Sequence, residues 1–273
     1  MSDEILIDEE KELTPEELVD NMTLFSDDLM SKVFDENIEA TELLLRIILG
    51  RPVKVLRVKG QYEIRNPRAN GRTIRLDIVA QEENGDKIDV EVQGDSEGAH
   101  VRRARYHSSA LDNLMLNKKQ EFKDIKDSYV IFIYKHDKFG AKLPIYHVER
   151  YVEETKEKFD DGSHIIYVNG KYEGDDEIGK LIKDFHSLKS EGMHYKEFAE
   201  GVRHFKETEE GREIMCKEVE VYADRKANKA ATQTKTSAVM ELMKNLKLTL
   251  EDALDALSIQ GDERAIIAKQ IQK

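Results

Sequence analysis

The seven residues Ser128-Tyr129-Val130-Ile131-Phe132-Ile133-Tyr134 constrain the fold more than any other stretch of this chain. An unbroken apolar run of this kind reads as a strand buried on both faces. What precedes it fits a covered sheet. A helix over 37–49, with Ile38, Leu44, Leu45, Ile48 and Leu49 near helical spacing, is closed by Gly50-Arg51-Pro52. After Pro52 the period becomes that of strands, over 53–58, 61–65, 73–81 and 87–93. The last two are joined around Glu83-Asn84-Gly85-Asp86, a hairpin signal. Residues 68–71 read as a turn, 100–117 as a helix without Pro or Gly, and 145–148 and 164–168 as short strands. The order predicts a mixed α/β core.

The flanks are of another kind. Residues 1–20 hold nine acidic side chains and one lysine, with Thr14-Pro15-Glu16-Glu17 opening a short helix and 27–34 forming a second. All four prolines (Pro15, Pro52, Pro67, Pro144) precede residue 175, after which the chain is charged and helix-prone. There Gly192, Gly201 and Gly211 read as breaks, 224–237 as a fraying helix or linker, and 250–257 and 262–272 as terminal helices, the first capped by Thr249. The expected division is an acidic lead-in (1–22), a core domain (23–174) and a helical C-terminal region (175–273).

One cysteine, Cys216, rules out an internal disulfide framework and suits a reducing compartment. The acidic start is the reverse of a signal peptide, and the most apolar runs are too short to span a bilayer. A cytoplasmic protein with no membrane partner is expected. The net charge of −13 argues against nucleic acid only as a sum. Residues 51–75 carry eight basic side chains against Glu63, and Arg102, Arg103 and Arg105 follow. The basic part surrounds the hairpin, as a phosphate-binding surface or as a solvated sheet edge rich in arginine.

On a strand, residues two apart share a face, so Glu91 and Gln93 project together, and Asp77 joins them if the register is right. A two-residue Asn84-Gly85 turn would set Asp77 against Val92 and leave no site. A three-residue loop, Glu83-Asn84-Gly85 with Gly85 left-handed, pairs Glu82 with Asp86 and sets Asp77 opposite Glu91. The second register, or a bulge of the same parity, is the one predicted. Two converging carboxylates are what a hard cation needs in order to activate water at a phosphodiester. By spacing alone, acid pairs in solvated hairpins are common, and Asp86 and Asp89 are read as such.

Three runs carry a resemblance: Arg75-Leu76-Asp77-Ile78-Val79 with Ile88-Asp89-Val90-Glu91-Val92-Gln93, then Arg103-Ala104-Arg105-Tyr106-His107-Ser108-Ser109-Ala110-Leu111-Asp112, and Tyr129-Val130-Ile131-Phe132-Ile133. Together they resemble the bacterial recombination-promoting nuclease / putative transposase family of the PD-(D/E)XK superfamily, from near residue 24 to about 170. The resemblance implies a restriction-endonuclease-like core, a mixed sheet flanked by helices, with a helical C-terminal extension. It implies Asp77 and Glu91 as ligands of Mg²⁺ or Mn²⁺, with Gln93 completing the catalytic set where the superfamily usually has lysine. Glutamine cannot supply a cation. The superfamily often adds an acid from the first helix. Glu42 is the candidate and Glu39 the alternative, against the reading of either as a solvated helix glutamate.

Arg75, Arg102, Arg103, Arg105 and Tyr106 are the expected DNA contacts, Arg103 and Tyr106 sharing a helix face. His107 reads as a general base or as a structural histidine. The last two helices are too acidic for a DNA-reading pair and point to self-association or packing. Two functions follow: a divalent-metal DNA endonuclease linked to recombination or mobile elements, or a decayed nuclease fold that binds nucleic acid or assembles.

Overall fold

The computed structural model describes residues 13–66, 71–94 and 98–271. Its centre is a six-stranded sheet of β1 (Val55–Ile64), β2 (Ile74–Glu82), β3 (Lys87–Gln93), β4 (Ser128–Tyr134), β5 (Ile145–Val148) and β6 (Ser163–Asn169). The spatial order is β1-β2-β3-β4-β6-β5. β4 has a parallel partner on each side, β3 and β6, and every residue of it except Tyr129 is buried. That position explains its unbroken apolar sequence, since interior parallel strands have no solvated face. The pairs β1–β2, β2–β3 and β5–β6 are antiparallel. The two strands expected at 53–58 and 61–65 form the single strand β1.

Helix α1 (Pro15–Asp20) begins with a capping box between Thr14 and Glu17, with proline in the first turn. Helices α2 (Asp27–Phe34) and α3 (Ile38–Leu49) lie over β1, and α2 reaches β2 and β3. Asn37 caps α3 through its side-chain oxygen, and Gly50, at φ +63°, ends it. Helix α4 (Val101–Asn113) covers β3, β4 and β6 and supplies the crossover that a parallel β3–β4 pair requires. Leu111 and Ala104 of α4 pack with Val130, Phe132 and Tyr167 of the sheet.

Helices α5 (Glu177–His186) and α6 (Lys196–Glu207) pack on α2 and α3. Gly201 is therefore no break: it lies inside α6, where an added Cβ would come within 2.6 Å of the Val33 side chain. Gly211 likewise lies inside α7 (Glu209–Leu246). The linker expected at 224–237 is part of this continuous helix. No Gly or Pro follows Gly211 within it, and its Ala, Lys and Gln residues are strong helix formers.

The chain divides within α7 into two compact units, Met1–Cys216 and Lys217–Lys273. The change of composition at residue 175 and this change of packing mark different points. In the second unit α8 (Leu250–Ala256), capped by Thr249, and α9 (Gly261–Ile271) join the end of α7 around Val239, Leu254, Ile259 and Ile267. No helix among the described residues is long and apolar enough to cross a membrane. All but the last residue of the turn expected at 68–71, and most of the acidic lead-in, lie outside the described residues.

Candidate metal centre

The hairpin loop decides whether a site exists, and it has three residues. The Glu82 N–H donates to the Asp86 carbonyl at 3.0 Å, the Gly85 N–H donates to the Glu82 carbonyl, and Gly85 sits at φ +99°. The Asn84 side chain braces the turn, accepting from the Asp86 N–H at 3.0 Å and donating to the Asp86 carboxylate at 2.8 Å. β2 and β3 then pair as Gln81↔Lys87 through Ile78↔Val90. The next pair in that register is Asp77 opposite Glu91, the arrangement the longer loop demands.

At that next pair the side chains take over from the ladder. Glu91 Oε1 accepts from the Asp77 N–H at 3.1 Å, and Asp77 Oδ2 accepts from the Val92 N–H at 3.0 Å. Each carboxylate thus satisfies a backbone donor of the other strand, which lets the strands part without orphaning buried amides. Asp77 is 6 % exposed and Glu91 fully buried.

Helix α4 closes over this gap. Arg103 donates from Nη2 to Glu91 Oε2 at 2.5 Å, and from Nη1 to Gln93 Oε1 at 3.0 Å and to the Gly98 carbonyl at 3.3 Å. A Cβ at 98 would lie 1.9 Å from Gln93 Oε1, so glycine there leaves room for the Gln93 amide in this position. One turn along α4, His107 places Nδ1 2.9 Å from Asp89 Oδ2, and its Nε2 accepts from Arg103 Nε–H at 3.3 Å. With Nε2 acting as acceptor, the imidazole proton belongs on Nδ1, donated to Asp89.

Asp86 and Asp89 correct the sequence reading. Neither is solvated: Asp86 is held in the turn and Asp89 has no exposure at all. A strand pattern tells which residues share a face but not what covers it, and here α4 does. Asp89 Oδ1 meets no donor among the described residues. The neighbouring Glu91 carboxyl can bond to it only by sharing a proton. Among the described residues, Asp89, Glu91 and His107 form the group whose ligand atoms lie close enough, within 4.8 Å of one another, to hold one ion.

Crowding acids out of water shapes their protonation. Burial, then the Glu91 charge, then that of Asp27 push Asp77 well above the carboxylate range. Burial and Asp89 push Glu91 up to about 8, against the pull of His107 and Arg103. Burial and Asp77 push Asp89 up as well, and burial pushes His107 down, leaving it neutral at physiological pH.

The acid from the first helices is not Glu42. Its carboxylate accepts from the Val55 N–H at 2.8 Å and faces Lys54, so it caps the start of β1, beside the hairpin-loop end of β2. Glu39 is exposed on α3. Asp27, the first residue of α2, is the acid whose charge reaches Asp77. Its place before an apolar helix in Ser26-Asp27-Asp28 was the available signal, masked because first-turn acids usually serve the helix dipole.

Beside Arg103 opens a cleft of about 650 Å³ lined by Arg72, Arg75, His100, Arg102 and Tyr106, with no carboxylate in its lining. Tyr106 donates to the Arg72 carbonyl at 3.3 Å. Arg105 is exposed on α4 and lies outside this lining.

A family model described as PD-(D/E)XK nuclease family transposase matches residues 28–238. No curated protein and no solved structure matches the chain.

Proposed function

Since the chain belongs to the PD-(D/E)XK nuclease family transposases, we propose that it is a divalent-metal-dependent DNA endonuclease. The observation that supports this most is the interlocked pair Asp77 and Glu91, set in parted strands beside an arginine-lined cleft. The residues fit a cation. The donors are carboxylate oxygens, suited to Mg²⁺ or Mn²⁺. One buried oxygen, on Asp89, meets no donor among the described residues, and burial and mutual repulsion push all three acids upward, a strain that a cation would relieve.

Asp77 and Glu91 would hold the ion, with Asp89 next to them. When bound, it lowers the pKa of its water and draws charge from the phosphoryl oxygens. The chain's own groups do the rest. Gln93, whose carbonyl oxygen is taken by Arg103, keeps its amide N–H groups to orient the attacking water. Arg72, Arg75 and Arg102 draw in the flanking phosphates, and Tyr106 braces Arg72 through its backbone. Water adds its oxygen to phosphorus and gives up a proton, the bond to the leaving sugar oxygen breaks, and that oxygen takes up a proton in turn, so that one water is consumed and no net proton is transferred to the protein. We assign the nuclease to residues 23–174, with self-association a role for the C-terminal helices, where Met240, Leu246 and Ile266 are exposed.

A second reading, a decayed nuclease fold that only binds nucleic acid, is favoured by the guanidinium already sitting on Glu91. One experiment separates the two: supercoiled plasmid with purified protein and Mg²⁺ or Mn²⁺, beside Asp77→Ala. Metal-dependent nicking that the variant lacks establishes the nuclease. A wild type that binds DNA yet never cuts it leaves the second reading standing.

A further inference from the structure

Gln93 leaves this centre without the cation that a lysine would bring, and the structure puts one there from another element. The Arg103 guanidinium spans Glu91 and Gln93 from α4, with Nη2 on one and Nη1 on the other. We propose that Arg103 supplies the positive charge that Gln93 cannot, and that the buried Asp89–His107 pair is the device that aims it. The proposal rests on the nuclease reading above.

Three features separate Arg103 from a surface arginine that happens to find an acid. All three of its guanidinium nitrogens are engaged: Nε by His107, Nη1 by Gln93 and Gly98, Nη2 by Glu91. A long flexible side chain is thereby held in one place, which positioning for catalysis requires and nonspecific phosphate binding does not. His107 is itself held by Asp89, so a chain of contacts runs Asp89–His107–Arg103 and ends on Glu91 and Gln93. Phe132 lies under both partners, its ring 6.0 Å from the guanidinium carbon and 6.1 Å from the imidazole. Finally, Arg103 is 34 % exposed while Glu91 is fully buried, and it lines the arginine cleft. A phosphate entering that cleft meets the guanidinium before it meets the carboxylates.

The arrangement also explains why glutamine suits position 93. A lysine there would set an ammonium against the guanidinium. The neutral amide instead offers its oxygen as an acceptor. Lysine at 93 and arginine at 103 are alternatives for a single charge.

The test uses the full chain, plasmid nicking with Mn²⁺, and Mn²⁺ affinity by calorimetry. Arg103→Ala should cut roughly 100-fold more slowly or worse, the loss typical of a missing transition-state donor. Its Mn²⁺ affinity should hold or rise, because Glu91 Oε2 is released. Arg103→Lys should keep more activity than Arg103→Ala, and adding Gln93→Lys to Arg103→Ala should recover at least about tenfold of the loss, a part of that donor's worth. His107→Ala should slow cutting with Mn²⁺ affinity retained. Arg103→Ala cutting at the wild-type rate would overturn the proposal. So would joint loss of cutting, Mn²⁺ binding and thermal stability with no recovery by Gln93→Lys, which would make Arg103 a packing residue only. A wild type that does not cut at all is a different failure, of the nuclease reading, and the proposal falls with it.

Discussion

Asp184 and Asp89 are both buried against a histidine, in two parts of the first unit, and the protein treats them in opposite ways. Asp184 in α5 accepts from the His194 N–H and His194 Nδ1, both at 2.8 Å, and from the Tyr195 N–H at 2.9 Å. Both oxygens are used, and the acid pins the loop before α6. Asp89 in β3 bonds to His107 through one oxygen only, and the other oxygen faces a cluster of acids. The first environment stabilises a charge with local donors. The second leaves acids in excess, an arrangement that costs stability unless a cation completes it. A histidine next to a buried aspartate therefore says little; the count of donors around the remaining oxygen says much.

Four measurements break or sharpen that contrast. The largest effect is expected for Glu91→Gln, which should lower cutting roughly 100-fold or more and remove Mn²⁺ binding, whereas Asp184→Ala should leave cutting per folded molecule unchanged. If both variants lost activity alike, the two acids would not differ in kind. Next is stability: Asp184→Ala strands three donors and should cost roughly 3 kcal/mol in chemical denaturation. A loss well under 1 kcal/mol would mean that the loop before α6 does not depend on it.

Third comes pH. Glu91 is raised to about 8 from an ordinary 4.5, so between those values the folded state keeps a proton that the unfolded chain releases. The stability from this group is full below about 4.5 and is lost as pH rises toward 8. The melting temperature of metal-free protein should fall across that window, with a shallower fall in Glu91→Gln, and Mn²⁺ at a hundredfold over its Kd should restore about 2.7 kcal/mol. Equal slopes for the two proteins would remove the electrostatic argument. The smallest effect is Asp89→Asn, which should change metal-free stability by less than about 1 kcal/mol or raise it, since the amide keeps an acceptor for His107 and removes an acid whose charged form burial disfavours. A drop as large as that of Asp184→Ala would place Asp89 with the structural acids.

How much of this was legible follows from what kind of pattern each feature leaves. The hairpin loop was a choice between two parities, and the sequence supplies what makes the three-residue loop work: Asn84 to brace Asp86, and Gly85 to accept φ +99°. Glu42 carried a helical position and a charge but no sign of where its helix would lie; it caps β1 instead. Residues 224–237, rich in Lys, Ala and Thr, resembled a linker because no apolar stripe marks them. They are nonetheless helical within α7, whose unbroken run without Gly or Pro carries the backbone through.

By itself the sequence determined the central strand, the hairpin and its register, and the placing of Asp77 opposite Glu91, because apolar runs, turn chemistry and the two-residue period act over a few neighbouring residues. Only the tertiary structure decided that Asp89 is buried, that His107 holds it, and that Arg103 reaches Glu91 and Gln93. Those facts depend on how α4 lies over β3, and that is set by the packing of Ala104, Leu111, Val130, Phe132 and Tyr167, residues up to about sixty positions apart whose contacts no local pattern encodes.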